Sequence, residues 1–156
     1  MPFAVVDKKA AMLHVFDASA RPVGSSVVLL GQTMGDEVDP EVGRNTTLGH
    51  VPRHQRTTPA GRFVSSPGIN LTGEAIVWVD YDSAFAIHRL RPGTSKADRA
   101  RRLASPSVQD NRASLGCVVV PVAFYTKVVA RVMGHSRAVV YVLPEGGPQG
   151  AFADSM

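Results

Sequence analysis

The sequence is poor in the residues that define several common protein classes. It has one cysteine among 156 residues, which excludes an internal disulfide framework and a zinc site built from several cysteines. Aromatic residues make up only 6%, and they are not interleaved with basic residues in the manner of a nucleic-acid reader. No run of about 18 uninterrupted apolar residues occurs, so we predict no membrane-spanning helix.

What the sequence does contain is sufficient for one globular domain with a hydrophobic core. Apolar residues make up 44% and charged residues 19%, and the net charge of +4 allows an anionic partner without requiring one. We predict a single domain over residues 1–144, a flexible Gly/Pro-rich tail over 145–156, and a monomer. The first six residues are too short and too uncharged for a secretory signal, so a cytosolic protein and an exported one whose signal lies outside the chain both remain open.

The hydrophobic pattern predicts a mainly β fold with one clear helix. Short apolar runs bounded by turn residues predict strands at 3–6, 12–16, 23–31, 61–65, 75–79, 85–88, 118–120 and 138–143. Apolar residues recur at helical spacing at Phe124, Val128 and Val132, joined by Tyr125 and Val129. Pro121 and Gly134 are typical of a helix start and stop. Segment 91–112 predicts a loop with at most a short basic helix. The long polar segment 32–59 predicts an irregular loop, and loops of that length are usually functional or mobile.

The lone cysteine, Cys117, is the residue that suggests chemistry. Ser114, Leu115 and Gly116 precede it, so the backbone can turn tightly and several N–H groups could point at one spot, as an oxyanion hole requires. Cys117 also begins an apolar run after a polar segment, where a side chain can face a cleft. A thiol is mostly protonated at neutral pH, so a nucleophilic cysteine needs a base or cation beside it. The alternative is a buried structural thiol.

Five histidines are available to act as that base. His88 closes the apolar run 85–88 just before the basic segment, a position from which active-site residues tend to emerge. His50 and His54 have a helical metal-ligand spacing, but Pro52 lies between them and no third ligand is evident. We therefore predict no metal site and no cofactor.

These residues resemble a known family, the L,D-transpeptidases with a YkuD-type catalytic domain, which act on bacterial peptidoglycan. The family signature is a His followed at a distance by Ser/Thr-X-Gly-Cys, and His88 and Ser114-Leu115-Gly116-Cys117 match it. A second hallmark, Thr-Pro-X-Gly-X-Phe, matches residues 58–63. The resemblance runs from about residue 5 to 143.

The resemblance implies a β-sandwich-like fold and a cysteine acyltransferase site. Cys117 would be the nucleophile, as a thiolate paired with the imidazolium of His88, which would act as acid and base. The backbone N–H groups of Leu115, Gly116 and Cys117 would hold the oxyanion. Ser114 would hydrogen-bond near the thiolate or substrate, or would only form the turn.

The resemblance also implies the substrate and the location. The donor would be a tetrapeptide stem of peptidoglycan, and the product a 3→3 cross-link or an attached amine, whereas water as acceptor would give a carboxypeptidase. Arg89 and Arg112, together with Arg91, are candidates to bind the carboxylates of the stem. The family works in the cell envelope, so the resemblance implies a periplasmic protein, and it gives no role to nucleic acid.

The chain departs from the family pattern at several positions. Leu115 and Val119 stand where polar residues are common, Arg89 follows the histidine where glycine is frequent, and segment 91–112 lengthens the interval from His88. An enzyme of altered specificity fits these departures, and so does a degenerate module that keeps the fold and binds cell-wall peptides or glycans. A third interpretation is a cytosolic β-rich protein with a structural cysteine and a basic loop for an acidic partner.

Overall fold

Strands dominate the fold, as the alternating apolar patterns predict. The computed structural model describes residues 1–93 and 95–146. The strands are β1 (Phe3–Asp7), β2 (Met12–Phe16), β3 (Pro22–Val27), β4 (Leu30–Gly31), β5 (Gly61–Ile69), β6 (Ala75–Asp80), β7 (Phe85–Arg89), β8 (Arg112–Ser114), β9 (Val118–Val120) and β10 (Ala138–Val142). The helices are α1 (Val42–Thr47), α2 (Lys96–Ala104), α3 (Val122–Phe124) and α4 (Ala130–Met133), with a 3₁₀ turn at Arg53–Gln55 and a π turn at Tyr125–Val129.

Eight of the strands form one mixed sheet in the order β3-β2-β1-β10-β5-β6-β7-β9. The pairs β1/β10 and β7/β9 are parallel, and the other neighbours in this sheet are antiparallel. Strand β5 is long enough to serve two partners, because its first part pairs with β10 up to Ser65 and its second part pairs with β6 from Ser66. It therefore joins two halves of the sheet.

The two halves bury their inward-facing side chains in a single core. The strand patterns alternate between buried and less buried positions in β1 and β2, as period-2 geometry requires. The core contains residues from both halves, among them Val6, Leu13, Val77, Ile87 and Val118, each fully removed from solvent. This facing of two sheet halves is sandwich-like, and the prediction of a mainly β fold is confirmed.

The predicted helix after Cys117 is present between residues 122 and 133, with the π turn in its middle. Its buried residues are Tyr125 and Val129, which belong to the predicted apolar pattern, and Met133, one position beyond Val132. Phe124 and Val128 are partly buried and pack towards β3, where Gly24 has no side chain to obstruct them: a Cβ there would lie 3.1 Å from Val128 Cγ2. None of the helices in residues 1–93 and 95–146 is long and apolar enough to span a bilayer.

Several segments differ from the sequence predictions. The strand predicted over 23–31 divides into β3 and β4, because Leu29 bridges to Val119 and Leu30 then pairs with Arg112 of β8. Segment 32–59 is less irregular than expected, since it contains α1 and the 3₁₀ turn. The short basic helix expected in 91–112 is α2, and it is followed by β8, which no pattern indicated.

A buried group of four charged side chains fixes the C-terminal end of the described chain. Lys8 Nζ, fully buried, lies 2.8 Å from Asp36 Oδ1 and 3.5 Å from Glu145 Oε2, and Arg112 Nη1 donates to the same Glu145 oxygen at 3.0 Å. Although partial burial works to raise it, the pKa of Asp36 is lowered by the Lys8 ammonium and by backbone N–H groups of Glu145 and Gly146. Residues 145 and 146 thus belong to the folded body, not to the predicted tail, and residues 147–156 lie outside the described part.

Candidate active site

The parallel pairing of β7 with β9 brings His88 and Cys117 to one face of the sheet. His88 pairs with Val119, so their side chains share a face, and Cys117 lies two residues before Val119. Because side chains along a strand alternate with period 2, Cys117 is directed to the same side as His88. Both residues line one cleft of about 580 Å³, together with Ser114, Leu115 and Gly116.

The thiol of Cys117 is partly buried against the turn that connects β6 to β7. Its Sγ–H donates to the carbonyl oxygen of Ala84 at 3.5 Å, and Ala84 itself adopts a left-handed backbone conformation with φ +55°. Burial raises the pKa of the Cys117 thiol, while the backbone N–H of Ala86 and the charge of Arg91 oppose that rise. The resting thiol is therefore protonated at neutral pH.

The imidazole of His88 is only 4% exposed and is fixed by the backbone. Its Nδ1 lies 2.8 Å from the carbonyl oxygen of Arg89, and a carbonyl only accepts, so Nδ1 carries the proton and Nε2 offers a lone pair. Burial, and secondarily the positive charge of Arg91, lowers the pKa of His88 from 6.5 to about 4. The ring is a neutral base at pH 7.

This electrostatic state differs from the ion pair expected from the resemblance. Burial disfavours the charged form of both groups, so the resting pair is a thiol and a neutral imidazole. In the described part of the chain each group bonds to backbone carbonyls near β7, and no hydrogen bond joins the His88 ring to the Cys117 thiol. The proton would move from sulfur to Nε2 only when the sulfur attacks.

The turn before the thiol is closed by Ser114. Its Oγ donates to the carbonyl of Cys117 at 2.6 Å and accepts the N–H of Gly116 at 3.1 Å, which favours the turn-forming alternative over a role on the substrate. Gly116 has φ +131°, and a Cβ there would lie 3.2 Å from the carbonyl oxygen of Thr57, so the position requires glycine. Since the Gly116 N–H is engaged within the turn, the amides of Leu115 and Cys117 remain as the predicted oxyanion donors.

The Thr-Pro motif holds this turn in place through a contact that the sequence did not indicate. The hydroxyl of Thr58, fully buried, donates to the carbonyl of Gly116 at 2.7 Å and accepts the N–H of Gly31 at 3.0 Å. The carbonyl of Thr58 in turn accepts from Lys8 Nζ at 2.8 Å. The motif thus supports the turn through its threonine, the residue that reaches the site.

The arginines predicted to bind substrate divide between the cleft and the scaffold. Arg112 lies outside the cleft: it is nearly buried and tied to Glu145. Arg89 also lies outside the cleft lining, with Nε 3.6 Å from Glu74 Oε2. Arg91 lines the cleft, and its Nε donates to Glu74 Oε1 at 2.7 Å. Two further arginines of the cleft were not anticipated, Arg44 from α1 and Arg99 from α2.

The rest of the cleft is formed largely by apolar side chains at its rim. Ile69, Leu71, Tyr81 and Leu115 are exposed and line it, and Trp78 contributes its ring. Segment 32–59 supplies another wall of the cleft through α1. The backbone of α1 at Gly43 packs directly on the turn between β6 and β7: a Cβ on Gly43 would lie only 2.0 Å from the carbonyl oxygen of Asp82.

No protein-family model matches this chain, and no curated protein matches it either. Within residues 1–93 and 95–146, no group of three or more His, Cys, Asp or Glu side chains is placed to hold a metal ion. The function of the chain must therefore be inferred from the cleft, in which a thiol, an imidazole and three arginines face the same space.

Proposed function

We propose that the protein is a cysteine acyltransferase of the L,D-transpeptidase kind, acting on tetrapeptide stems of peptidoglycan in the cell envelope. The observation that carries the proposal is the shared cleft of His88 and Cys117, with the ring proton held on Nδ1 by the Arg89 carbonyl. This leaves Nε2 as a proton acceptor, which is what a protonated thiol requires of a neighbouring base. The Ser-X-Gly-Cys and Thr-Pro motifs lie together around the thiol, which adds support.

In the first half-reaction the thiol becomes acylated. Nε2 of His88 takes the proton from Cys117 as Sγ forms a bond to the carbonyl carbon that follows an L-configured centre. The amides of Leu115 and Cys117 donate to the oxygen as it becomes negative. The C–N bond then breaks, and the imidazolium gives its proton to the departing amine, which leaves a thioester on Cys117.

In the second half-reaction an amine of a neighbouring stem attacks the thioester. His88 accepts a proton from that amine, the C–S bond breaks, and the proton returns to the sulfur. The product is a new amide, a 3→3 cross-link where the amine belongs to another stem. Water in place of the amine would release the free acid, which is a carboxypeptidase reaction.

Acylation by a carbapenem tests the proposal directly, because this β-lactam class acylates L,D-transpeptidases at the cysteine. We expect a single adduct by intact-protein mass spectrometry, located on Cys117 and absent in Cys117→Ala. His88→Asn should slow acylation by roughly a hundredfold, the usual contribution of a general base. His135→Asn, an exposed histidine away from the cleft, is the matched control and should react as the unmodified protein does.

Purified muropeptides then test the reaction itself. Cross-linked dimers identify a transpeptidase, and shortened stems without dimers identify a carboxypeptidase. If the unmodified protein forms no carbapenem adduct and leaves muropeptides unchanged, the enzymatic proposal is wrong.

A non-catalytic module that binds cell-wall peptides is the second candidate, and one observation favours it. Burial raises the pKa of Cys117, and its proton is directed to the Ala84 carbonyl, so the resting thiol is not activated. Carbapenem treatment and calorimetry together separate the candidates: muropeptide binding that is equal in the unmodified protein and in Cys117→Ala, with no carbapenem adduct and no change in the muropeptides, identifies a binding module, and an adduct on Cys117 rejects it.

A further inference from the structure

We propose that Glu74 is a positioning residue for His88: its buried carboxylate holds the two arginines beside the histidine, offsets their charge, and so stabilises the imidazolium that forms when Cys117 reacts. Glu74 lies outside the motifs that carry the resemblance. The inference rests on the proposed function in one respect, namely that His88 takes the proton of the thiol. The electrostatic link between Glu74 and His88 can be measured without turnover.

The pairing of β6 with β7 brings Glu74 to the side of the sheet on which His88 lies. Val77 pairs with Ile87 in this antiparallel register. Ile76 therefore comes opposite His88, and Glu74 lies two residues before Ile76. Ile76 and His88 both line the cleft. Because side chains alternate with period 2, the Glu74 side chain is directed to the same side of the sheet.

The carboxylate of Glu74 is held between the two arginines. Arg91 Nε donates to Glu74 Oε1 at 2.7 Å, and Asn70 Nδ2 donates to the same oxygen at 2.9 Å. Glu74 Oε2 lies 3.6 Å from Arg89 Nε and has no hydrogen-bond partner among the described residues. The side chain is only 8% exposed, so water screens its charge little. A buried carboxylate oxygen without a hydrogen bond costs stability, so packing alone does not account for Glu74.

Both arginines act on the imidazole of His88, and Glu74 is bound to both. Arg89 supplies the carbonyl that holds the ring proton on Nδ1, and its side chain faces Glu74. Arg91 lines the cleft with the ring, and its charge disfavours a second positive charge there. Burial and then Arg91 lower the pKa of His88, whereas the Arg89 carbonyl and the Glu74 carboxylate act in the opposite direction. Glu74 therefore favours the protonated ring that proton transfer from sulfur requires.

The other charges around the ring do not replace Glu74. In the described part of the chain, the charged or titratable residues that line the cleft with His88 are Arg44, Tyr81, Asp82, Arg91, Arg99 and Cys117. Asp82 is the carboxylate of this set, but it is exposed, so water and salt screen its charge. After burial and Arg91, Arg99 also lowers the pKa of His88. The negative charge that opposes these arginines from a buried position is that of Glu74.

A cycle of variants tests the link through the titration of the His88 ring. Glu74→Gln keeps the size of the side chain and an acceptor oxygen but removes the negative charge, and Arg91→Gln removes the opposing positive charge. Labelling of histidine with ¹⁵N gives the titration by NMR, and His88→Asn identifies the His88 signals among the five histidines. We expect the midpoint to fall in Glu74→Gln and to rise in Arg91→Gln, by roughly half a pH unit or more each. The double variant should titrate close to the unmodified protein.

The opposite signs distinguish a charge effect from a structural one. Both single variants break the same contact between Arg91 and Glu74, so a purely structural effect would move the midpoint in one direction in both. Asp82→Asn is the matched control, because it removes an exposed negative charge from the same cleft and should leave the midpoint unchanged. If acid unfolds Glu74→Gln before the ring titrates, the double variant is compared with Arg91→Gln and must titrate at lower pH. Midpoints that move together in the two single variants, or a double variant equal to Arg91→Gln, overturn the role of Glu74.

The pH profile of carbapenem acylation separates this role from the proposed function. The fall in the acylation rate on acidification reports the ionisation of the base, so its midpoint should follow the same order of variants as the ring titration. Acylation that falls at the same pH in Arg91→Gln and in the double variant would refute Glu74 as a positioning residue and leave the acyltransferase intact. The expected NMR shifts without any carbapenem adduct would reject the acyltransferase and keep the link between Glu74 and His88.

Discussion

Mild acid should destabilise the protein through one buried side chain, His88. The ring is 4% exposed and its pKa is lowered to about 4 by burial and then by Arg91, against an ordinary value of 6.5. Between these two pH values His88 binds a proton in the unfolded chain but not in the folded chain, so the free energy of unfolding falls as the pH falls. The stability is complete above about pH 6.5 and is lost progressively towards pH 4.

The size of the effect follows from the two pKa values. Between pH 8 and pH 5, proton binding to a group with pKa values of 6.5 unfolded and about 4 folded lowers the free energy of unfolding by about 2 kcal/mol. The lowered pKa values of Asp36 and Asp98 act in the same direction but below 3.8, outside this interval. The loss between pH 8 and pH 5 is therefore attributed to His88.

Urea denaturation followed by far-ultraviolet circular dichroism at pH 8, 7, 6 and 5 measures this loss. His88→Asn is the comparison, since it keeps a polar side chain but cannot titrate. The pH-dependent part of the free energy should be about 2 kcal/mol smaller in the variant. If the two proteins lose stability in parallel, or if the ring proton signals of His88 titrate near pH 6.5 by NMR, the assignment of a buried neutral imidazole is wrong. In that case the loss of carbapenem acylation on acidification, which a His88 pKa of about 4 places below pH 5, should instead occur at a higher pH.

Substitutions at three positions test how the thiol-bearing turn and the charged cluster are supported. Gly116→Ala should lower the free energy of unfolding by about 1–3 kcal/mol by urea denaturation, because the backbone has φ +131° and the new Cβ meets Thr57; a neutral effect would contradict the turn geometry. Thr58→Val should lower the free energy of unfolding by about 2 kcal/mol, because the buried N–H of Gly31 loses its acceptor, whereas Thr58→Ser should lower it by less than about 1 kcal/mol. Equal losses in the two variants would show that the hydroxyl does not stabilise the turn. Glu145→Gln should cost about 3 kcal/mol or more, because Arg112 would lose its carboxylate partner and Lys8 would keep only Asp36; a midpoint unchanged at low and high salt would show that the cluster contributes little.

The parts of the fold that could be predicted are those with a local signal. Strands such as β1, β2 and β6 show period-2 alternation or a dense β-branched run, and the helix after Cys117 has a proline before it and a glycine after it. Strand β8 has only three residues, too few for any period to be visible. The division of segment 23–31 depends on a change of partner strand, which no local pattern encodes.

The parts of the site that could not be predicted depend on partners far away in the chain. Lys8 lies in a polar turn that indicates a solvated residue, yet it is fully buried against Asp36, 28 residues later. Arg112 looks like a free cation until Glu145, 33 residues later, is brought beside it. The sequence could name His88 and Cys117 by motif resemblance, but their burial, which keeps both neutral, is a property of the assembled core.

The parallel pairing of β7 with β9 separates the proposed reacting pair, His88 and Cys117, from the chain segment that carries two of the arginines of the cleft. His88 pairs with Val119 in the sheet and Cys117 directly precedes β9, so the spacing of His88 and Cys117 does not depend on the length of chain between them. That intervening crossover, which contains Arg91 and Arg99, leaves the sheet and returns to it. Since loop-closure entropy rises only slowly with length, the exposed stretch 95–98 of the crossover can change length at little thermodynamic cost, whereas the buried Leu103 and Arg112 further along it are constrained by their partners. In the proposed enzyme, this part of the crossover could therefore change the shape and charge of the cleft while the sheet keeps His88 and Cys117 in place.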